Sequence, residues 1–255
     1  MCGICGCDEA VLTEPAAPVH GQHHHHTDGG AVAAGGTRTI ELQQKVLAKN
    51  DSIAAANRRW LRAHDVAAVN LMSSPGAGKT TLLERTARDL AGQLAISVIE
   101  GDQETTLDAD RITSAGSAVI QINTGAGCHL DAGMVARGLD ALAPPAGSMV
   151  MIENVGNLVC PALFDLGEDA RVVLGAVTEG ADKPRKYPHM FRQADVVMLN
   201  KIDLLPYVSF DLDRYLADLR QVAPGARVLR LSATSGDGLD GWYDWLCGHL
   251  PAPPE

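Results

Sequence analysis

The sequence predicts an α/β fold of three layers, with a mostly parallel central sheet flanked by helices. Three observations predict it. Apolar runs of strand length alternate with helical segments from Val66 to Leu250. A glycine-rich turn, Ser73-Ser74-Pro75-Gly76-Ala77-Gly78-Lys79-Thr80-Thr81, joins the first such run to the first such helix. The chain has 255 residues, 46% of them hydrophobic, which is enough for one large α/β domain with extra segments. Strand–helix–strand crossovers make neighbouring strands parallel, and ligands then gather at the carboxyl ends of the strands.

Residues 1–38 hold Gly, Ala, Pro and His with little apolar periodicity, and read as a disordered tail. Residues 39–255 read as the folded domain. Ile40, Val46, Leu47, Ile53, Trp60 and Leu61 recur at helical spacing from Thr39 to Arg62, predicting one or two amphipathic helices packed outside the sheet. Val66–Met72 is the first strand, Thr80–Gly92 a helix, Leu94–Glu100 a strand and Thr105–Ser114 a helix. Next come a strand at Ala118–Asn123, a helix at Leu130–Leu142, and strands at Ser148–Asn154 and Arg171–Thr178. A helical stretch near Pro188–Gln193 leads to a strand at Asp195–Asn200 and a helix at Asp211–Val222. Ala226–Leu231 is the last strand, Leu239–Leu250 the last helix, and Pro251–Glu255 a frayed end.

A net charge of −10 argues against a nucleic-acid surface, which needs a basic stripe. The apolar runs fall short of a membrane span. The first residues lack the basic-then-apolar order of a signal peptide. These features predict a cytoplasmic protein, without nucleic-acid or membrane partners, whose six cysteines are thiols available to metals.

The turn at residues 73–81 has the strand-before, helix-after setting of a P-loop, so the fold is expected to be that of a P-loop NTPase. The backbone N–H groups of Gly76, Ala77 and Gly78 can converge on a polyphosphate. Lys79 can reach the outer phosphates, and the Thr80 hydroxyl, next to Thr81, can ligate Mg²⁺. The pattern wants Gly at its first position, where this chain has Ser73. Asn200-Lys201-Ile202-Asp203 closes an apolar strand. The Asp203 carboxylate can accept from both the ring N–H and the exocyclic amine of guanine, which adenine cannot satisfy. Asn200 can bridge to the other base edge, the Lys201 stem can cover the ring, and a backbone amide of Ser232-Ala233 can meet the guanine oxygen. The expected nucleotide is GTP.

Two strand ends should complete the Mg²⁺ surroundings: Asp102 after the second strand and Glu153 after the fourth, both through water. Gly156 could offer its N–H to the γ-phosphate. Asn157 stands where a water-orienting Gln would follow, so slow intrinsic hydrolysis is expected.

Cys128-His129 follows the third strand, and Cys160 lies seven residues beyond Glu153. Both loops should leave the sheet at the nucleotide edge, and two thiolates with an imidazole suit Zn²⁺ or Ni²⁺. A dimer could double the ligands. In the tail, Cys2, Cys5 and Cys7 place three thiolates close together, and with a backbone or terminal nitrogen they could form a square-planar Ni²⁺ site. His20 and His23 to His26 read as a looser metal reservoir. Cys247, in the amphipathic last helix, is expected in the core.

Together these segments resemble the hydrogenase nickel-incorporation GTPases, the HypB family. The likeness rests on the Cys2/Cys5/Cys7 motif and on S-S-P-G-A-G-K-T-T, V-I-E-G-D-Q, T-G-A-G-C-H-L-D, I-E-N-V-G-N-L-V-C-P, T-E-G-A-D-K-P and N-K-I-D-L-L-P. It implies a GTP-hydrolysing metallochaperone that inserts nickel into [NiFe] hydrogenase, with a tight nickel site at Cys2, Cys5 and Cys7. It also implies a domain metal site at Cys128, His129 and Cys160. The partners it implies are a second copy in a GTP-dependent homodimer, a HypA-type zinc and nickel accessory protein, and the hydrogenase large subunit. Leu204, Leu205 and Val208 are dimer-contact candidates by the same analogy. The competing readings are a related GTPase for urease or a cobalamin enzyme, and a nickel store.

Overall fold

The computed structural model describes residues 34–102, 107–125 and 127–250, with the side chains of 34–43, 102, 107 and 108 excepted. The expectations for Cys2, Cys5, Cys7, His20, His23 to His26 and Pro251–Glu255 therefore lie outside the described residues.

A long helix α1 (Ala34–Ala63) leads into β1 (Val66–Ser73), and then come α2 (Lys79–Asp89), β2 (Ile96–Asp102), α3 (Leu107–Ser114) and β3 (Ala118–Asn123). The chain continues with α4 (Ala132–Leu142), β4 (Ser148–Glu153), β5 (Ala170–Ala176), the short helices α5 (Lys183–Lys186) and α6 (Pro188–Arg192), and β6 (Val196–Asn200). It ends with α7 (Leu212–Val222), β7 (Arg227–Arg230) and α8 (Asp240–Cys247). The seven strands lie in the order β3-β2-β4-β1-β5-β6-β7, and each described pairing is parallel. The expected α/β fold of three layers is what the structure has.

Strand alternation divides the apolar residues between two faces. Val69, Leu71, Val98, Met149, Met151, Val172 and Met198 pack with Leu82, Leu83, Ile112, Trp242, Trp245 and Leu246 from α2, α3 and α8. On the other face Ala68, Ile99, Val150 and Ile152 meet Leu61, Val135 and Leu139 of α1 and α4. Further along that face Val173, Val197 and Leu199 meet Met190, Phe191, Tyr215 and Leu219 of α6 and α7. The central strands β1 and β4 are buried along their whole length, which is why they read as near-continuous apolar runs.

Two details differ from the sequence expectation. The first helix is a single unbroken element and starts at Ala34, inside the segment assigned to the tail. Cys247 is exposed rather than core. The buried stripe of α8 is Trp242, Trp245 and Leu246, and one further residue turns the chain by about 100°, away from that stripe.

Candidate functional site

The carboxyl ends of β1, β2, β4 and β6 surround a cleft of about 540 Å³, lined by the Pro75–Thr81 turn, Glu100, Glu153, Gly156 and Lys201 among others. Ser73, at the position where Gly is usual, is fully buried and has a use: its hydroxyl accepts from Lys79 Nζ at 2.9 Å and donates to the Ser74 carbonyl. Gly78 is held at φ +100°, and a Cβ there would lie 2.6 Å from Asn200 Nδ2. Glycine is required at this position on both counts.

That close approach is part of a clamp. Asn200 Nδ2 donates to the Ala77 carbonyl at 2.9 Å, and Lys201 Nζ donates to the Gly76 carbonyl at 2.8 Å. The end of β6 is thus tied to the glycine turn, and Asp203 sits half-buried on the 3-10 turn Ile202–Tyr207 that follows. The Ala233 amide donates to Asn200 Oδ1 at 3.0 Å, and the Ser232 amide to the Asp237 carbonyl. Both amides therefore already hold the loop, and the Ala233 bond fixes the orientation of the Asn200 amide.

Thr80 Oγ1 donates to Glu153 Oε1 at 2.9 Å. Glu100 and Glu153 are register partners on β2 and β4, and each is at most 5% exposed. Both follow residues of the α2-facing core, Val98 and Met151, by two positions, so they share that face. Two carboxylates and a hydroxyl are hard oxygen donors, and this set fits Mg²⁺. The side chain of Asp102, the carboxylate expected here, lies outside the described residues, and Glu100 is a site residue that the sequence expectation did not include. The signal for Glu100 was present in the alternation of Ser97-Val98-Ile99-Glu100. Arg111 also lines the cleft, held by Glu84 at 2.8 Å.

Beyond Glu153 the chain returns across the glycine turn. A Cβ on Gly156 would come within 3.1 Å of Pro75 backbone atoms, so this loop rests on the cleft wall. Asn157 does not face the cleft with its carbonyl. Its Oδ1 accepts from the amides of Val159 at 2.8 Å and Cys160 at 3.4 Å, which turns Cys160 inward to 1% exposure.

There Cys160 meets Cys128 and His129, and one ligand atom from each of the three lies within 4.8 Å of the others. Cys128 Sγ is 3.6 Å from His129 Nδ1. The imidazole stacks on Phe164, with ring centroids 3.9 Å apart. Burial holds the His129 pKa below the usual histidine range, against the opposing pull of Asp131, which keeps the ring neutral as a metal ligand must be. Two thiols and a neutral imidazole form a soft three-ligand set that leaves a fourth position open. Asp131 caps α4 by accepting from Met134 N at 2.7 Å, and so the helix starts after this loop rather than at Leu130. From α1, Asn50 and Asn57, which are seven residues apart on one face, bond Ala132 of α4 and the Asp165 and Leu166 carbonyls. The shell around the trio is therefore fixed from three elements.

The family model of the CobW/HypB/UreG nucleotide-binding domain matches residues 67–230. The chain is 54% identical over 209 residues to the hydrogenase maturation factor HypB of Rhizobium leguminosarum bv. viciae, covering 82% of this chain and 70% of that one. The crystal structure of the maturation factor HypB from Archaeoglobus fulgidus is similar, with a TM-score of 0.75 and 39% identity, over 79% of this chain and 98% of that one. HypB from Helicobacter pylori in complex with nickel matches with a TM-score of 0.74 and 35% identity, over 81% of this chain and 100% of that one.

Proposed function

The chain belongs to the CobW/HypB/UreG family and, within it, to the HypB hydrogenase maturation factors, and on that premise we propose a GTP-hydrolysing nickel metallochaperone whose nucleotide state sets its hold on the metal. One observation carries the coupling. The loop that starts at Glu153 crosses the glycine turn at Gly156 and delivers Cys160 to the Cys128–His129 pair. A phosphate bound by Gly156 and a metal bound by Cys160 would pull on the same short segment.

In this reading Gly76, Ala77, Gly78, Lys79, Thr80 and Thr81 hold the phosphates, and Asn200, Lys201, Asp203, Ser232 and Ala233 surround the guanine. Thr80, Glu153 and Asp102, with Glu100 added from the geometry, form the surroundings of Mg²⁺. Bound Mg²⁺ supplies charge neutralisation at the β- and γ-phosphates. Hydrolysis is slow because Asn157 is committed to the Cys160 turn. Cys128, His129 and Cys160 take Ni²⁺, with Zn²⁺ as the competing cargo. Support for nickel comes from the donor set and from the relative solved with nickel.

We assign the segment ahead of α1, expected from the sequence to run over residues 1–38, as a metal-binding tail with a second nickel site at Cys2, Cys5 and Cys7. The chain from the start of α1 at Ala34 to residue 255 is assigned as the GTPase domain. The proposed partners are a second copy in the GTP state, a HypA-type accessory protein and the hydrogenase large subunit, met in the cytoplasm. Among the described residues no helix is long and apolar enough to cross a membrane.

The test is a Ni²⁺ titration of the full chain with GDP and with a non-hydrolysable GTP analogue. The reading expects different affinities for the thiolate-bound nickel in the two states. Equal affinities would remove the coupling. By linkage, bound nickel must change nucleotide affinity by the same factor.

A further inference from the structure

Asn154 sits between the two loops of the candidate site and faces away from the nucleotide. It follows Glu153 directly, so the strand alternation that turns Glu153 toward α2 turns Asn154 toward α1 and α4. It is 1% exposed, and its own amide continues the ladder by donating to the Leu71 carbonyl. Its single side-chain oxygen accepts two amides from different segments: Leu130 N at 3.1 Å and Val155 N at 3.0 Å. Leu130 is the residue after His129, and Val155 the residue before Gly156. The amide cannot turn over, because Nδ2 donates to Asn70 Oδ1 at 3.4 Å, and Asn70 donates in turn to Glu168 Oε1 at 3.3 Å. Glu168 is itself pinned by Arg171 Nε at 2.6 Å and Leu166 N at 2.7 Å.

We propose that Asn154 is the positioning residue that carries nucleotide state to the Cys128–His129 arm of the trio. This rests on the nucleotide-coupled nickel reading above and adds a second route to it. Gly156 and Cys160 move one ligand along the chain, whereas the Asn154 oxygen links the other two across space. A displacement of Val155 by the terminal phosphate shifts or breaks a bond on the same oxygen that holds Leu130. Because Nδ2 is anchored on Asn70, strain at Val155 is passed to Leu130 rather than absorbed by rotation of the Asn154 amide. No contact with nucleotide or metal is required of it.

The experiment uses the full chain carrying Cys2→Ser, Cys5→Ser and Cys7→Ser, so that thiolate-to-nickel charge-transfer absorbance reports the domain site. Cys128→Ser in that background is the control that removes the band. Ni²⁺ affinity is measured with GDP and with a non-hydrolysable GTP analogue, and the ratio is formed within each variant so that overall losses cancel. The parent is expected to show a ratio of about 5 or more, within the usual range of coupling between sites. Asn154→Ala should bring the ratio to within about twofold of one. Asn154→Asp retains an acceptor for both amides but gives up the Nδ2 bond to Asn70 and buries a charge, so it should keep more of the ratio than Asn154→Ala while losing stability. If Asn154→Ala leaves the chain unfolded, Asn154→Ser is judged by the same criterion.

An Asn154→Ala protein with the parent ratio overturns the inference while leaving the coupled reading intact. Loss of the ratio in an Asn154→Asp protein that keeps the parent's thermal stability overturns the acceptor role. A parent ratio of one ends the coupled reading and this inference with it.

Discussion

Glu153 and Asn154 are adjacent in the chain and serve opposite faces of the sheet. Glu153 Oε1 accepts the Thr80 hydroxyl at 2.9 Å on the nucleotide face, and Asn154 Oδ1 accepts the Leu130 amide at 3.1 Å on the face that carries Cys128 and His129. One peptide unit at the end of β4 therefore belongs to both halves of the candidate site. The Mg²⁺ assignment is tested on the first of the pair. Glu153→Gln keeps the shape and the acceptor for Thr80 but removes the charge. It is expected to raise the Mg²⁺ concentration needed for half-maximal hydrolysis by about tenfold, roughly the 1.4 kcal/mol of one weakened charged interaction. An unchanged Mg²⁺ dependence would take Glu153 out of the ion's surroundings.

Guanine selection is assigned to Asp203. Asp203→Asn exchanges a double acceptor for a group that must present one donor, leaving a base N–H unmatched. An unmatched buried hydrogen-bonding group costs about 1–3 kcal/mol, so GTP affinity should fall about 5- to 150-fold. Affinity for xanthosine triphosphate, which carries a carbonyl in place of the exocyclic amine, should rise. Competition binding with the two nucleotides reads both changes, and unchanged preference removes the assignment.

Gly78 is the point where the glycine turn and β6 touch. Gly78→Ala places a methyl 2.6 Å from Asn200 Nδ2 at a backbone φ of +100°. Positive φ in a non-glycine residue costs on the order of 1–3 kcal/mol, and the Asn200–Ala77 bond must break as well. Thermal unfolding should show the loss of stability, and GTP binding should weaken beyond it. Gly92→Ala is the control: it shares a positive φ of +79° but has open space around its Cβ, so it should lose stability and keep nucleotide affinity.

Much of the architecture was legible because parallel strands buried on both faces leave continuous apolar runs, and those runs fell between recognisable turns. The P-loop and Asn200–Asp203 could be placed at one sheet edge because each directly follows such a run. The Cys128, His129 and Cys160 grouping could be expected for the same reason. What joins these pieces could not be read. Asn157 looked like a departure from a catalytic Gln, and its task in turning Cys160 appears only when its Oδ1 is seen on two backbone amides. Asn50 and Asn57 were polar interruptions in an amphipathic pattern, and their partners lie more than 70 residues away. Side-chain bonds to distant carbonyls leave no periodicity behind. Cys247 failed differently, since the apolar stripe of a helix locates its buried face but not how that stripe ends.

Arg58 and Asp165 tie α1 to the loop that follows Cys160, with Nη2 to Oδ1 at 2.8 Å. Burial raises the Asp165 carboxyl, but the Gly167 amide and the Arg58 guanidinium outweigh it, and the group ends below the ordinary carboxylate range. A depressed folded-state pKa contributes stability that is complete above the unfolded value, near 4, and is lost as pH falls through the folded one. Arg58→Ala should therefore destabilise the chain at pH 7, by about 1 kcal/mol for a partly exposed pair, and by less at pH 3. Urea unfolding at the two pH values measures the difference. The effect should also reach the metal site, because Phe164, which backs His129, immediately precedes Asp165. Nickel affinity at neutral pH is expected to fall by about tenfold, the low end of the range seen when outer-shell partners are removed. An equal stability loss at both pH values would show that Arg58 acts through packing and not through the Asp165 charge.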